Sequence, residues 1–213
     1  MNIIKGRKLS YDYFRVDEDG KEEEAVRAVD QVDLDVKEGD FVAILGHNGS
    51  GKSTLAKKLS EISDVPLLYL DKVRFLPGWK ERPEQECIEI IENFLKNNEW
   101  VIDGNYNNWL YDRRMKESDL IIFMNFSRIR CFIGALKRYL TYKKKRRESI
   151  TEGCPEKLDS EFVKWVLHEG RKADRRKRFN SVCGKYSDKT IICRSRRDVK
   201  AKVLNKSFIH ECR

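Results

Sequence analysis

The stretch from Phe41 to Leu59, FVAILGHNGSGKSTLAKKL, decides the fold. It begins with a short apolar run of the buried-strand type, passes through a glycine-rich turn and ends in a segment with helical spacing. Gly46, four further residues and then Gly51-Lys52-Ser53 complete the phosphate-loop pattern G-x-x-x-x-G-K-[ST]. A strand before this pattern and a helix after it are the context that a phosphate loop requires. The sequence therefore predicts a site for a nucleoside triphosphate.

Each residue type in the pattern has a chemical reason. Glycine lets backbone N–H groups turn inward onto phosphate oxygens, which a Cβ would obstruct, and the following helix adds the positive end of its dipole. Lys52 is expected to reach the β- and γ-phosphates, and the Ser53 hydroxyl is expected to ligate Mg²⁺. The residues predicted to bind ATP are Gly46, Asn48, Gly49, Ser50, Gly51, Lys52, Ser53 and Thr54.

Length and composition limit the class of protein. A chain of 213 residues can hold one full α/β domain with a small addition. No apolar run approaches the roughly 20 residues that span a bilayer, and the N-terminus lacks a signal-peptide pattern, so a soluble, cytoplasmic protein is expected. The six cysteines form no C-x-x-C pair, which argues against a zinc site or a disulfide framework.

The net charge of +9 is concentrated in the C-terminal third, where residues from Thr141 onward include 22 Lys/Arg against 10 Asp/Glu. Such a balance suits nucleic-acid binding, and it equally suits arginines that clamp a polyphosphate. The two basic runs are Lys143–Arg147 and Arg171–Arg178. Stacking aromatics do not interleave with these runs. A basic lid over ATP explains the first run with fewer assumptions, and a solvated helix face is expected for the second.

Residues 2–37 are predicted to be antiparallel, because apolar residues approach period-2 alternation up to the turn Lys37-Glu-Gly-Asp40. Together with the phosphate loop, this part resembles the start of an ABC transporter ATPase of the energy-coupling-factor type. The resemblance is carried by residues 9–13, 28–39 and 41–59. It implies ATP hydrolysis with a membrane transporter subunit and a second nucleotide-binding subunit. It also implies that Tyr11 or Tyr13 stacks on adenine, with ordinary strand packing as the alternative.

The resemblance stops after Leu59. The following sequence contains no glutamine loop, no LSGGQ-like motif and no apolar strand that ends in Asp-Glu. His168 and His210 lie in charged, helical-looking sequence and do not match a switch histidine. The 213 residues therefore look incomplete for a working ABC ATPase, in which the partner's LSGGQ-like loop covers the γ-phosphate.

A different pattern continues from Phe41 without a break. Further strands are predicted at 66–70, 100–103, 120–126 and 189–193, and helices at 83–96, 129–142, from Leu158, and at 198–204. Strands that alternate with helices predict a doubly wound parallel sheet, so the fold class is an α/β P-loop NTPase of nucleotide-kinase-like type with an N-terminal antiparallel β extension. Ligands of such sheets bind at the carboxyl ends of the strands, where Asp71, Asp103 and Asn125 fall.

This second stretch, about 41–206, resembles the adenylate-kinase-related P-loop proteins known as DNA topology modulation protein FlaR. The resemblance is carried by residues 70–79, 100–106, 121–126, 137–140, 152–157 and 162–166. The two resemblances overlap in the phosphate loop, which suggests a chimera joined within Gly49–Leu59. The predicted division is an ABC-like β segment at 1–40, a kinase-like domain at 41–206 with a lid at about 143–157, and a tail at 207–213.

The kinase-like resemblance implies roles for residues outside the phosphate loop. Asp103 would hold Mg²⁺ through water, and Asp71 would bind the acceptor hydroxyl and act as general base, with structural carboxylates as the alternative in both cases. Trp79 would wall the acceptor pocket or simply pack. The arginines expected to grip phosphate or to close the lid are Arg113, Arg114, Arg128, Arg138, Arg146 and Arg147. The predicted catalytic set is Lys52, Asp71, Asp103 and Arg138, with Ser53 and Asp103 at the metal.

Three functions remain open from the sequence. The first is transfer of the γ-phosphoryl group of Mg-ATP to a small, unidentified acceptor. The second is an energy-coupling-factor ATP-binding subunit, or a truncated form of one, that associates with membrane transporter subunits. The third is a FlaR-like regulator that binds nucleic acid through the basic C-terminal third.

Overall fold

The computed structural model describes residues 4–16, 22–36, 40–143, 145 and 147–204, with side chains for 40–143, 145 and 147–203. The described residues fall into two compact units. The larger lies within residues 39–195, and the smaller combines residues from 1–38 with residues from 196–213. The strands are β1 Ile4–Val16, β2 Glu22–Val36, β3 Phe41–Gly46, β4 Leu67–Tyr69, β5 Phe75–Leu76, β6 Lys80–Glu81, β7 Trp100–Asp103, β8 Leu120–Met124 and β9 Thr190–Cys193. The helices are α1 Lys52–Ser63, α2 Leu70–Arg74, α3 Glu84–Phe94, α4 Tyr111–Glu117, α5 Arg128–Tyr142, α6 Ser160–Leu167, α7 Ala173–Lys185 and α8 Arg196–Val199.

The larger unit is built on a five-stranded sheet in the order β4-β7-β3-β8-β9, with every neighbouring pair parallel. Strand β3 lies in the centre and pairs with β7 on one side and β8 on the other, so Ile44 stands beside both Asp103 and Ile122. A strand covered on both faces has no solvent face to make polar, which explains the continuous apolar run of β3. All five strands end at the same edge, and the phosphate loop leaves from its middle.

Helices cover both faces of this sheet. Alternate strand residues on one face, including Leu45, Ile102 and Phe123, form one core with residues of α3, α4 and α7, namely Cys87, Ile91, Met115 and Val182. The connection through α1 runs from β3 to β4, opposite to the later connections across the sheet, and the right-handed rule therefore places α1 on the other face. Helix α1 buries Leu55, Ala56 and Leu59. The predicted α/β fold with a doubly wound parallel sheet is confirmed.

The smaller unit contains an antiparallel pair. Strands β1 and β2 pair from Ile4 with Val36 to Val16 with Glu22, with several register shifts between. The predicted antiparallel N-terminal extension is confirmed. Residues 17–21, between these two strands, lie outside the described residues, as does the predicted tail at 207–213. Helix α8 continues directly into a π-helical turn at Lys200–Leu204.

Some element boundaries differ from prediction. The second strand ends at Tyr69, because α2 begins at Leu70, so Asp71 lies in a short helix. The closing helix begins at Arg196 and becomes π-helical after Val199. Helix α4 and the β5–β6 hairpin were not predicted: α4 buries only Arg114 and Met115, and each hairpin strand has two residues, too few for a periodic pattern.

The helices of the described residues carry no candidate for a membrane span: none is both long enough and apolar enough.

Candidate nucleotide-binding site

The phosphate loop joins the end of β3 to the start of α1. Gly49 and Gly51 have φ values of 82° and 89°, in the left-handed region that glycine tolerates best. In the described structure no side chain caps the first turn of α1, which begins at Lys52. The first N–H groups of a helix have no partner within the helix, so this turn and its dipole present donors to an anion.

Helix α5 supports the loop from beneath through two glycines. A Cβ on Gly49 would overlap the carbonyl group of Cys131, and a Cβ on Gly134 would overlap the carbonyl oxygen of Gly49. The two backbones therefore touch where both side chains are absent. The requirement for glycine at 49 is thus steric as well as conformational, and Gly134 is a loop-supporting residue that sequence analysis missed.

Asn105 fixes the entry to the loop. Its Oδ1 accepts a hydrogen bond from the Gly46 N–H at 3.0 Å, and its Nδ2 donates to the Gly46 carbonyl at 2.6 Å. Asn105 follows β7, so this side chain ties the end of one strand to the end of its neighbour. Sequence analysis gave Asn105 no role of its own, because its partner lies 59 residues away.

Lys52 and Asp103 form a buried pair in the centre of the site. The Lys52 Nζ lies 3.8 Å from Asp103 Oδ1, and the two residues are 8% and 4% exposed. Burial raises the pKa of Asp103, while Lys52 and a hydrogen bond from the Ser53 hydroxyl act in the opposite direction. Within the described residues, the buried Oδ1 of Asp103 has no hydrogen-bond partner. The structure thus brings together the predicted catalytic lysine and the two predicted metal residues.

These residues fit a magnesium ion. Mg²⁺ prefers oxygen ligands, keeps several waters and is commonly held by one or two protein oxygens plus substrate phosphates. The Ser53 hydroxyl and Asp103 Oδ1, which accepts no hydrogen bond within the described residues, supply such ligands next to the loop. In the described part of the chain no group of three or more His, Cys, Asp or Glu side chains could hold a metal by itself. Any magnesium here would therefore depend on phosphate and water for its other ligands.

Asp71 lies beside this pair and is held by a tyrosine. The Tyr106 hydroxyl donates to Asp71 Oδ1 at 2.8 Å, and the Tyr106 ring stacks on Trp109 with centroids 4.3 Å apart. Burial, followed by the Asp71 charge, raises the pKa of Tyr106 far above its usual range, so the hydroxyl remains a donor. Asp71 also raises the pKa of Asp103, which places the two carboxylates within electrostatic reach of each other.

Arg138 and Arg147 meet at Glu156. Arg138 Nε donates to Glu156 Oε2 at 3.0 Å, and Arg147 Nε lies 2.6 Å from Glu156 Oε1. Burial lowers the pKa of Arg138, and Arg147 lowers it further. The Asp71 charge raises the pKa of Arg138, and the Arg147 charge lowers the pKa of Asp103, which indicates that the two arginines lie near these carboxylates. Glu156 lies in one of the segments that carry the FlaR resemblance, but sequence analysis assigned it no role.

Other predicted arginines lie elsewhere. Arg114 is fully buried, and its guanidinium donates to the carbonyls of Trp109 and Tyr106, so the prediction that it grips phosphate is wrong. Arg113 is paired with Glu117 on the outer face of α4. Arg128 is exposed at the start of α5. Arg146 lies outside the described residues.

The remaining predicted positions are less informative. Thr54 is exposed, Asn48 is half-buried, and the buried Ser50 hydroxyl finds no hydrogen-bond partner among the described residues. Trp79 packs edge-on against Phe75, with Lys157 over its ring. Tyr11 and Tyr13 lie in β1, whose side chains are outside the described part of the chain.

The second basic run is not a uniform solvated face. Arg171 is 9% exposed and donates to the Phe126 carbonyl at 2.7 Å. Lys172 pairs with Glu169, and Arg178 pairs with Asp174. In the first run, Lys144 and Arg146 lie outside the described residues. Binding of nucleic acid through these runs stays a prediction.

Comparisons with known proteins concern the N-terminal part of the chain. Residues 29–75 match the family model described as ABC transporter. The energy-coupling factor transporter ATP-binding protein EcfA1 of Clostridioides difficile (strain 630) is 49% identical over 61 residues, which are 29% of this chain and 20% of that protein. EcfA1 of Symbiobacterium thermophilum is 54% identical over 59 residues, covering 28% and 20%. EcfA1 of Clostridium novyi (strain NT) is 36% identical over 92 residues, covering 43% and 30%.

The chain thus spans between a fifth and a third of the length of these relatives. The matched residues include the phosphate loop, Lys52 and Ser53, which supports the prediction that this site binds ATP with Mg²⁺. The resemblance of the N-terminal part, through the phosphate loop, to an ABC transporter ATPase is confirmed.

Proposed function

We propose that the larger unit is a phosphotransferase of nucleotide-kinase-like type, which moves the γ-phosphoryl group of Mg-ATP to a hydroxyl of a small acceptor. The observation that carries this proposal is the grouping of Lys52, Asp103, Asp71 and the Arg138–Arg147 pair beside one phosphate loop. Phosphoryl transfer needs positioning and charge stabilisation more than covalent chemistry, and these groups supply both.

The loop and Lys52 perform the nucleotide-binding part of the task. Inward-facing N–H groups and the Lys52 ammonium bind the phosphates, and the buried surroundings strengthen these interactions relative to water. Ser53 and Asp103 would hold magnesium, which when bound neutralises charge on the phosphates. The Asp103 carboxylate in turn pairs with the Lys52 ammonium, with Oδ1 3.8 Å from Nζ.

Asp71 performs the acceptor part. Oδ1 of its carboxylate accepts a hydrogen bond from the Tyr106 hydroxyl. This leaves Oδ2 to accept a hydrogen bond from the hydroxyl of the small molecule that is phosphorylated. The acceptor oxygen forms a bond to the γ-phosphorus, the bond between the γ-phosphorus and the bridging oxygen breaks, and ADP leaves. The hydroxyl proton passes to Asp71. Arg138 and Arg147 stabilise the charge on the phosphoryl group in transit.

The division of the chain belongs to the same proposal. The predicted kinase-like domain at 41–206 would correspond to the larger unit up to residue 195, with a lid at about 143–157 that carries Arg147 and Glu156, while residues from 196 onward fall in the smaller unit. Residues 1–40 would be an ABC-like addition. The resemblance of residues 41–206 to the FlaR family is part of the same proposal. The chimera hypothesis accounts for ABC similarity in residues 29–75 and for a kinase-like arrangement after them.

The test is ATP turnover by the purified full chain with Mg²⁺ and a panel of nucleosides, nucleotides and small hydroxylated metabolites. One acceptor should stimulate turnover strongly, and Lys52→Ala should abolish that stimulation. Lys96→Ala is the matched control, because Lys96 follows α3 and bonds to Asn93 at an exposed position. Full turnover by Lys52→Ala would refute the proposal.

A second candidate function is favoured by the comparisons. The match of residues 29–75 to the ABC transporter model and the EcfA1 relatives support an ATP-binding subunit of an energy-coupling-factor transporter, or a truncated form of one with ATP hydrolysis. This function requires binding to membrane transporter subunits and to a second nucleotide-binding subunit. Co-purification with such subunits in the presence of ATP would support it, and a chain that stays monomeric and unattached with Mg-ATP would argue against it.

A further inference from the structure

Glu156 stands between two arginines that sequence analysis placed in the lid and the active site. One carboxylate oxygen accepts from Arg138 Nε at 3.0 Å, and the other lies 2.6 Å from Arg147 Nε. The Glu156 side chain is 4% exposed, and those of Arg138 and Arg147 are 22% and 12% exposed. Three charged groups therefore share one largely water-free place.

This arrangement is electrostatically demanding. Two guanidinium groups within reach of one carboxylate repel each other, and burial adds a desolvation cost for each. Both effects lower the pKa of Arg138. Two positive charges stay together in a buried environment only where a negative charge offsets their repulsion. Glu156 supplies this negative charge.

The trio also has the charge that phosphoryl transfer needs. One carboxylate and two guanidinium groups carry a net charge of +1, which complements a metaphosphate-like group in transit. Both contacts to Glu156 use Nε, so the terminal nitrogens of the two arginines are not needed to hold the carboxylate. The Asp71 charge acts on the pKa of Arg138, and the Arg147 charge acts on the pKa of Asp103, so each arginine lies near one of the predicted catalytic carboxylates.

We propose that Glu156 is a positioning residue that holds Arg138 and Arg147 side by side, so that both guanidinium groups face the phosphoryl group in transit. The inference rests on the proposed phosphotransferase function, since that function gives the two arginines their target. Without the carboxylate the arginines repel each other and turn toward water. The ground-state nucleotide, which is bound by the loop, is then affected far less than the transition state.

The test uses the full chain and compares binding of Mg-ADP with binding of Mg-ADP plus fluoroaluminate, which mimics the phosphoryl group in transit. Glu156→Gln keeps the shape and removes the charge. We expect Mg-ADP affinity to stay within about twofold, while the gain in affinity that fluoroaluminate gives falls by about tenfold or more. In an Arg138→Ala background, Glu156→Gln should add little, because the two residues act as a unit. Glu156→Asp should recover part of the gain.

Glu117→Gln is the matched control, because Glu117 pairs with Arg113 on the surface of α4, away from the loop. It should leave both affinities unchanged. If Glu156→Gln lowers both affinities equally, or leaves the fluoroaluminate gain intact, Glu156 has no positioning role. A thermal melt of each variant identifies a loss of binding that comes from unfolding, and the Glu156→Asp and Arg138→Ala results then decide.

The two proposals fail in different ways. In one case, fluoroaluminate raises the affinity of the wild-type chain for Mg-ADP, Glu156→Gln removes this gain, and no acceptor is phosphorylated. This result would refute the phosphotransferase function and support the positioning role of Glu156. In the other case, the wild-type chain phosphorylates an acceptor but fluoroaluminate does not raise its affinity for Mg-ADP. This result would refute only the positioning role of Glu156.

Discussion

Gly134 of α5 lies directly against Gly49 of the phosphate loop, so close that a Cβ on Gly134 would overlap the Gly49 carbonyl oxygen. The helix that carries Arg138 is thereby seated on the loop that binds phosphate. The phosphate loop and the helix that carries Arg138 are thus in direct backbone contact within the larger unit.

Gly134→Ala should therefore disturb the loop. The added methyl group must displace the backbone of the loop or of α5, which we expect to cost about 1–3 kcal/mol of unfolding free energy and to weaken ATP binding. Gly184→Ala is the matched control, because Gly184 lies in α7 and an added Cβ would meet nothing within 4 Å beyond its chain neighbours and the backbone of its own helix. It should stabilise by about 0.5–1 kcal/mol through helix propensity. Urea unfolding and nucleotide titration measure both effects, and a Gly134→Ala chain with wild-type stability and ATP affinity would contradict the seating.

Tyr106→Phe tests the role of Asp71. The ring would keep its stacking on Trp109, while the hydrogen bond that fixes Asp71 would be lost. We expect kcat/KM for the acceptor to fall by about 5- to 30-fold, which corresponds to roughly 1–2 kcal/mol for a bond to a charged group. The KM for ATP should not change. Tyr186→Phe serves as the control, because Tyr186 precedes β9, which lies at the other edge of the sheet. Equal losses in kcat/KM for ATP and for the acceptor would indicate a general packing defect.

His47 should make the stability of the larger unit pH-dependent. It is 8% exposed and lies against Phe123 and Phe179, and burial, followed by the Arg171 charge, lowers its pKa from 6.5 to about 4. Between these values the unfolded chain binds a proton that the folded chain does not, so stability is lost as the pH falls. This residue should account for about 2 kcal/mol of the loss in unfolding free energy between pH 8 and pH 5.

The measurement compares wild type with His47→Gln by urea unfolding at both pH values. The wild type should lose about 2 kcal/mol more than the variant on going to pH 5. Equal losses in the two proteins would mean that His47 titrates normally in the folded state.

Local sequence signals predicted the parts of the molecule that depend on neighbours in the chain. The phosphate loop was predicted because its glycines are required by the local backbone geometry. The apolar strands were predicted because burial on both faces requires apolar residues. The strand at 100–103 was predicted with the bounds that the structure gives. The antiparallel start also follows from local alternation of apolar residues.

The contacts that complete the site join residues distant in sequence. Asn105 is 59 residues from its partner Gly46, and Glu156 is 18 residues from Arg138. The seating of Gly134 on Gly49 depends on how α5 crosses the loop, and no local pattern encodes that crossing. For Arg114, sequence analysis predicted a function that the structure does not support. An arginine after a strand suggested phosphate binding, but the Arg114 guanidinium is buried and donates to backbone carbonyls.

The most direct test of the account follows the fate of the γ-phosphoryl group of ATP. Phosphorus NMR of wild type with Mg-ATP and the stimulating acceptor should show a phosphorylated acceptor that appears in step with ADP. Asp71→Asn should lower this product sharply while ATP remains bound. If ADP and inorganic phosphate are the only new products with every acceptor, and form at the same rate in Asp71→Asn, the chain is an ATPase and the phosphotransferase account is wrong.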